Sequence, residues 1–165
     1  MTFNLALSHE DLTQLPLSLT PERITEICAR TLDVLIQKNL RAPSQKPIEI
    51  QLALLTPLEI QALNKTYRGK DKPTNVLSFE SDPDMPQPQD ILMLGDIALC
   101  PELLQQEACA QQKTLEAHYT HLLIHGVLHL CGFDHETDID AKIMEPLETH
   151  ILHSLGFEDP YAIEP

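Results

Sequence analysis

The chain has 165 residues, 42% of them hydrophobic and 22% charged, within the range of one soluble domain with a single core, residues 1–165. No apolar run approaches the ~20 residues of a membrane span, and the amino terminus lacks the basic region and apolar stretch of a secretory signal, so a cytoplasmic protein without a membrane partner is expected. A net charge of −14, from 25 acidic and 11 basic residues, excludes a protein that coats nucleic acid through a wholly basic surface.

Residues 2–8 alternate enough for a first strand. Residues 20–39 place Ile24, Ile27, Cys28, Thr31, Leu32, Leu35 and Ile36 at helical spacing, with Thr20 as N-cap and Pro21 at the first helical position. Pro47 to Leu55 alternates as a half-buried strand, and Thr56-Pro57 opens a helix that ends near Gly69. Within eight positions stand Lys65, Arg68, Lys70 and Lys72, four of the eleven basic residues. Such a cluster is either a solvated loop or a local phosphate-binding patch on an otherwise acidic surface.

Asn75 to Phe79 reads as a short strand, residues 81–90 as an acidic, proline-rich loop, and Leu92 to Cys100 as a further strand. Pro101 starts a helix to about Gln112, and a long helix follows from Leu115 to Cys131, stopped by Gly132. A last helix spans Asp138 to Leu155, with Pro146 splitting or kinking it. Early strands alternating with helices, then helices alone, give an α+β domain. A mixed four-stranded sheet packs against helices, and a candidate metal site lies on the long helix and its following turn. Cys28, Cys100, Cys109 and Cys131 have no Cys-x-x-Cys spacing and read as reduced core residues, Cys131 beside the metal motif keeping open a ligand or redox role.

Chemistry concentrates in residues 121–135. His125 and His129 are four apart, so on a helix both imidazoles leave one face and can meet one zinc ion. Gly132 can turn the chain back through a left-handed conformation, letting His135 supply a third nitrogen. Three imidazoles leave the fourth tetrahedral position to water, the arrangement of a catalytic site with one Zn2+ per chain. The bland alternative is a half-buried histidine-rich helix, and His118 and His121 fit it as packing residues or as supports for the ligands. His9, His150 and His153 read as surface residues. The spacing matches the metzincin protease signature, yet Gly126 stands where those proteases carry their glutamate base.

Three separated motifs together resemble the YbeY family of bacterial endoribonucleases. They are Asn64 to Phe79 (NKTYRGKDKPTNVLSF), Leu94-Gly95-Asp96-Ile97, and His121 to His135 (HLLIHGVLHLCGFDH). The overall length and the terminal Pro160-Tyr161 also fit. The resemblance implies a zinc site at His125, His129 and His135 and a functional arginine at Arg68. It further implies single-strand RNA cleavage in 16S rRNA 3′-end maturation and ribosome quality control, with ribosomal RNA and the small ribosomal subunit as partners. Asn75 departs from a frequent aspartate and Phe133 from a frequent tyrosine. Asp96 reads equally as a carboxylate orienting a histidine or as a turn residue; Ser78, Asp134 and Met144 read as structural. Two competing readings are a metal-dependent peptidase or amide hydrolase, and a non-enzymatic ribosome-assembly factor with structural zinc.

Overall fold

A computed structural model describes residues 14–40, 47–82, 84–87, 90–134 and 136–161, and residues 3–7 as backbone. The elements run β1 (Phe3–Leu7), α1 (Pro21–Gln37), β2 (Ile48–Leu54), α2 (Pro57–Arg68), β3 (Val76–Glu80), β4 (Leu92–Leu99), α3 (Pro101–Ala110), α4 (Leu115–Leu130) and α5 (Asp138–Ser154). The strand order is β1-β2-β4-β3, with β1, β2 and β4 parallel and β3 antiparallel to β4. An α+β domain with a mixed sheet against helices is thus what the chain adopts. The sheet has four strands, with β1 at one edge paired to β2 and β3 at the other paired to β4.

Local chemistry sets the boundaries. Thr20 accepts from the Arg23 amide at 3.2 Å and Pro21 follows, starting α1. A reciprocal capping box starts α2: Thr56 Oγ1 accepts from Glu59 N, and Glu59 Oε1 accepts from Thr56 N. Gly69, at φ 71°, ends that helix in the left-handed conformation, so the chain turns sharply after Arg68. β2 buries Ile48, Ile50, Leu52 and Leu54 on alternate positions, as a strand with one core face should.

The core lies between this face and helices α1, α4 and α5. At its centre is α4, with ten of its sixteen residues buried, touching α1, α3, α5, β3 and β4. A helix contacted on so many sides exposes little, and its half-buried residues include His121, His125 and His129 in one line. Residue Gly95 lets α4 approach the sheet: a Cβ there would lie 2.2 Å from the Phe79 carbonyl oxygen and 2.8 Å from Leu130 Cδ2. Pro146 does not split the last helix. Met144, Leu147, Glu148, Ile151 and Leu152 are all buried from α5, which holds the element together across the missing N–H.

Candidate active site

The basic segment after α2 is fixed by polar side chains on that helix. Asn64, buried, donates its amide to the Lys72 carbonyl at 2.9 Å, and Gln61 donates to Asp71 Oδ1 at 3.0 Å. Arg68, the last residue of α2, donates from Nη2 to the Ser78 carbonyl at 2.6 Å, and its guanidinium carbon lies 5.3 Å from the centre of the Phe79 ring. Ser78 in turn donates its hydroxyl to the Gly126 carbonyl on α4 at 3.1 Å. Ser78 is therefore structural in a specific sense: it ties the arginine to the histidine helix.

On α4 the helical spacing does what it predicts. His125 Nε2 and His129 Nε2 lie 3.0 Å apart, close to the ~3.3 Å that two ligands of a tetrahedral zinc would show at ordinary bond lengths. Gly132, at φ 92°, turns the chain, and the Phe133 amide reaches back to the Leu128 carbonyl at 3.0 Å. His135 lies outside the described residues. Among the described residues no three potential ligands gather around one point, so the observed fit to zinc is that of the His125–His129 pair.

Both histidines line a cleft of about 370 Å³, shared with Arg68, Lys70, Lys72, Ser78, Asp134 and Glu136. A neighbouring cleft continues past Arg68 and His129 to Gly132 and Phe133. Arginine and histidines, far apart in sequence, thus face one space. Lys65 does not join them. It lies outside the cleft lining and pairs with Asp71 at 3.9 Å, both largely exposed.

Gly126 faces the sheet at close range. A Cβ there would meet Ile97 Cδ1 at 3.1 Å, Ser78 Oγ at 3.2 Å and Ile97 Cγ2 at 3.3 Å. The position that carries a glutamate in metzincins has little room for any side chain. Asp96, next to Ile97 on β4, points to the opposite side of the sheet and lines a separate groove with Tyr67, Phe79 and Gln51. It does not orient the histidines. Asn75 donates its amide to both Glu107 oxygens, at 3.0 and 3.2 Å, and the same carboxyl meets buried His118 at 2.9 Å. An aspartate at 75 would set two carboxylates against each other, which accounts for the amide here.

The residue that sequence reasoning missed is Glu148. It is fully buried on α5, facing His121 Nε2 at 2.5 Å, His125 Nδ1 at 3.5 Å and the Tyr161 hydroxyl at 3.0 Å. Burial pushes its carboxyl up, but the hydrogen bonds and charges of His121 and His125 outweigh that and bring it to about 2. Burial and the Glu148 charge push the Tyr161 phenol far up, so it remains a donor. One signal was available: Met144, Glu148 and Ile151 share one face of α5, and an acid on an apolar stripe needs a buried partner.

Met144 is a core residue, fully buried. Cys28 and Cys100 are buried as expected and Cys131 is half-buried, but Cys109 is exposed, since it falls on the outer side of α3. Burial pushes the Cys131 thiol up to about 12.

The model of the family described as endoribonuclease YbeY matches residues 13–156. The chain belongs to the YbeY family. Among solved structures, it is similar over 98% of its length to the solution structure of TM1509 from Thermotoga maritima, all of which is covered, at 22% identity and a TM-score of 0.51. That likeness supports the α+β fold. The YbeY match spans the arginine, the half-buried histidines and all of α5, so the cleft lies within the matched region.

Proposed function

We propose that this YbeY-family chain is a zinc-dependent endoribonuclease acting on single-stranded ribosomal RNA, in 16S rRNA 3′-end maturation and ribosome quality control, with the small ribosomal subunit as its setting. One observation carries the reading: a single cleft is lined by Arg68, Lys70 and Lys72 together with His125 and His129. Phosphodiester cleavage builds negative charge on the phosphoryl oxygens, and cations on opposite sides stabilise it.

Arg68 binds and orients the phosphate. Among the described residues one guanidinium N–H is engaged by Ser78, which leaves the planar fork oriented for two-point contact with phosphate oxygens. Lys70 and Lys72 add charge to the same cleft and position the flanking backbone. His125 and His129, with His135 as the third nitrogen, would hold the zinc ion, one per chain. When bound, zinc supplies water activation near neutral pH and further neutralisation of phosphate charge. Gly126 weighs against a peptidase or amide hydrolase, since it stands where such enzymes carry their glutamate base and a Cβ there would already be in tight contact with Ile97 and Ser78. A cytoplasmic location accords with a ribosomal substrate, and no described helix is long and apolar enough to cross a membrane.

The test is a cleavage assay on unstructured rRNA fragments with wild type, zinc-stripped and zinc-restored protein, His129→Ala and Arg68→Glu. Cleavage should vanish on stripping, return with zinc, and be absent from both variants, while Arg68→Glu keeps its zinc. RNA binding without turnover by the zinc-loaded wild type would overturn the enzymatic reading in favour of an assembly factor.

A further inference from the structure

We propose that Glu148 is a positioning residue for His125, and that the turn Asp159–Tyr161 closes over this carboxylate and completes it. The proposal deepens the zinc reading above and rests on it for the identity of the metal.

The two faces of the His125 ring have different partners. Nδ1 looks towards Glu148 Oε1 at 3.5 Å, and Nε2 looks into the cleft, 3.0 Å from His129 Nε2. An imidazole whose Nδ1–H is directed at a carboxylate carries its lone pair on Nε2, the atom that must bind a cation. At 3.5 Å the contact is at the outer limit of a hydrogen bond, so Glu148 acts through orientation and charge more than through a tight bond.

Three donors converge on the two oxygens of Glu148. His121 Nε2 donates to Oε2, and the Tyr161 hydroxyl donates to Oε1, the oxygen that faces His125. The hydroxyl also lies 3.3 Å from His121 Nε2, so tyrosine and histidine cover the carboxylate together. Tyr161 comes from the segment after α5. Its backbone amide donates to Asp159 Oδ1 at 2.8 Å, and that same oxygen accepts from Thr149 Oγ1 at 3.2 Å. Thr149 follows Glu148 directly, so the turn is clipped onto the helix beside the acid it covers.

A merely structural role would make Glu148 a buried partner for His121 and nothing more. That role moves stability when the acid is changed and leaves metal affinity and the His125 ring alone. A positioning role moves both. Removing a carboxylate that orients a ligand costs roughly 10–100-fold in metal affinity.

The experiment uses full-length wild type, Glu148→Gln and Tyr161→Phe. Zinc affinity is measured by competition with a chromogenic chelator, and the His125 tautomer by imidazole nitrogen NMR of the metal-free proteins. In wild type His125 should hold its proton on Nδ1. Glu148→Gln should bind zinc roughly 10–100-fold more weakly and show mixed tautomers, and Tyr161→Phe should lose several-fold in affinity with its thermal stability near wild type. Unchanged affinity and an unchanged tautomer in Glu148→Gln overturn the proposal. If Glu148→Gln does not fold, Tyr161→Phe decides: wild-type affinity there overturns it. Should wild type bind no zinc, the zinc reading falls, and the tautomer pattern of the metal-free proteins alone upholds or overturns the role of Glu148.

Discussion

Gly95→Ala is the sharpest probe of how the histidine helix is seated. The added Cβ would lie 2.2 Å from the Phe79 carbonyl oxygen, 3.1 Å from its carbon and 2.8 Å from Leu130 Cδ2. The first two atoms belong to β3 backbone, paired with β4, and cannot swing aside as a side chain can. Overpacking of this kind costs about 1–3 kcal/mol, and a non-glycine residue at the φ of 148° found here adds about 1–3 kcal/mol of strain. The loss should therefore be about 2–6 kcal/mol, centred near 4 kcal/mol. With a urea slope of roughly 2 kcal/mol per molar, the unfolding midpoint should fall by about 2 M. Equilibrium denaturation followed by far-UV circular dichroism, with both proteins equally loaded with zinc, measures it. A midpoint shift below about 0.5 M, or roughly 1 kcal/mol on that slope, would refute the close approach of strand and helix at this residue.

The remaining expectations concern the arginine, its helix and the thiols. Arg68→Ala should slow RNA cleavage by about 10²–10³-fold, and Arg68→Lys should restore only part of it, because an ammonium keeps the charge and loses the two-point fork; equal rates for lysine and arginine would contradict the orienting role. Thr56→Ala removes one side of the capping box and should cost about 1–2 kcal/mol in a thermal melt with zinc content unchanged. In the native protein at pH 8 a thiol reagent should titrate one cysteine quickly, Cys109, because Cys109 is exposed while burial holds Cys28 and Cys131 at about 12 and raises Cys100. A second fast thiol would contradict that assignment.

What the sequence made legible were features that repeat or end locally. The i, i+4 spacing of His125 and His129, the capping at Thr20 and Thr56, the glycine ends of α2 and α4 and the alternation in β2 all depend on near neighbours along the chain. From its local pattern Arg68 was legible as a member of a basic cluster, and the motif resemblance alone singled it out. Its separation from Lys65 needed the turn at Gly69 and the edge of β3 in three dimensions. Glu148 lies 23 positions beyond His125, on a helix whose packing angle no local pattern reveals, so its meeting with the ligand ring belongs to tertiary structure. Asp96 shows the reverse failure. Its neighbour Ile97 packs under the histidine helix, and the two-residue alternation of a strand turns Asp96 to the other side.

The chain of contacts from Arg68 through Ser78 to Gly126 has a mechanical consequence. The guanidinium hangs from a strand carbonyl, and that same residue is moored to the helix bearing the imidazoles. The placement of the guanidinium relative to the imidazole helix is consequently set by strand and helix together. Whatever enters this cleft meets an arginine whose seat is dictated by regular secondary structure.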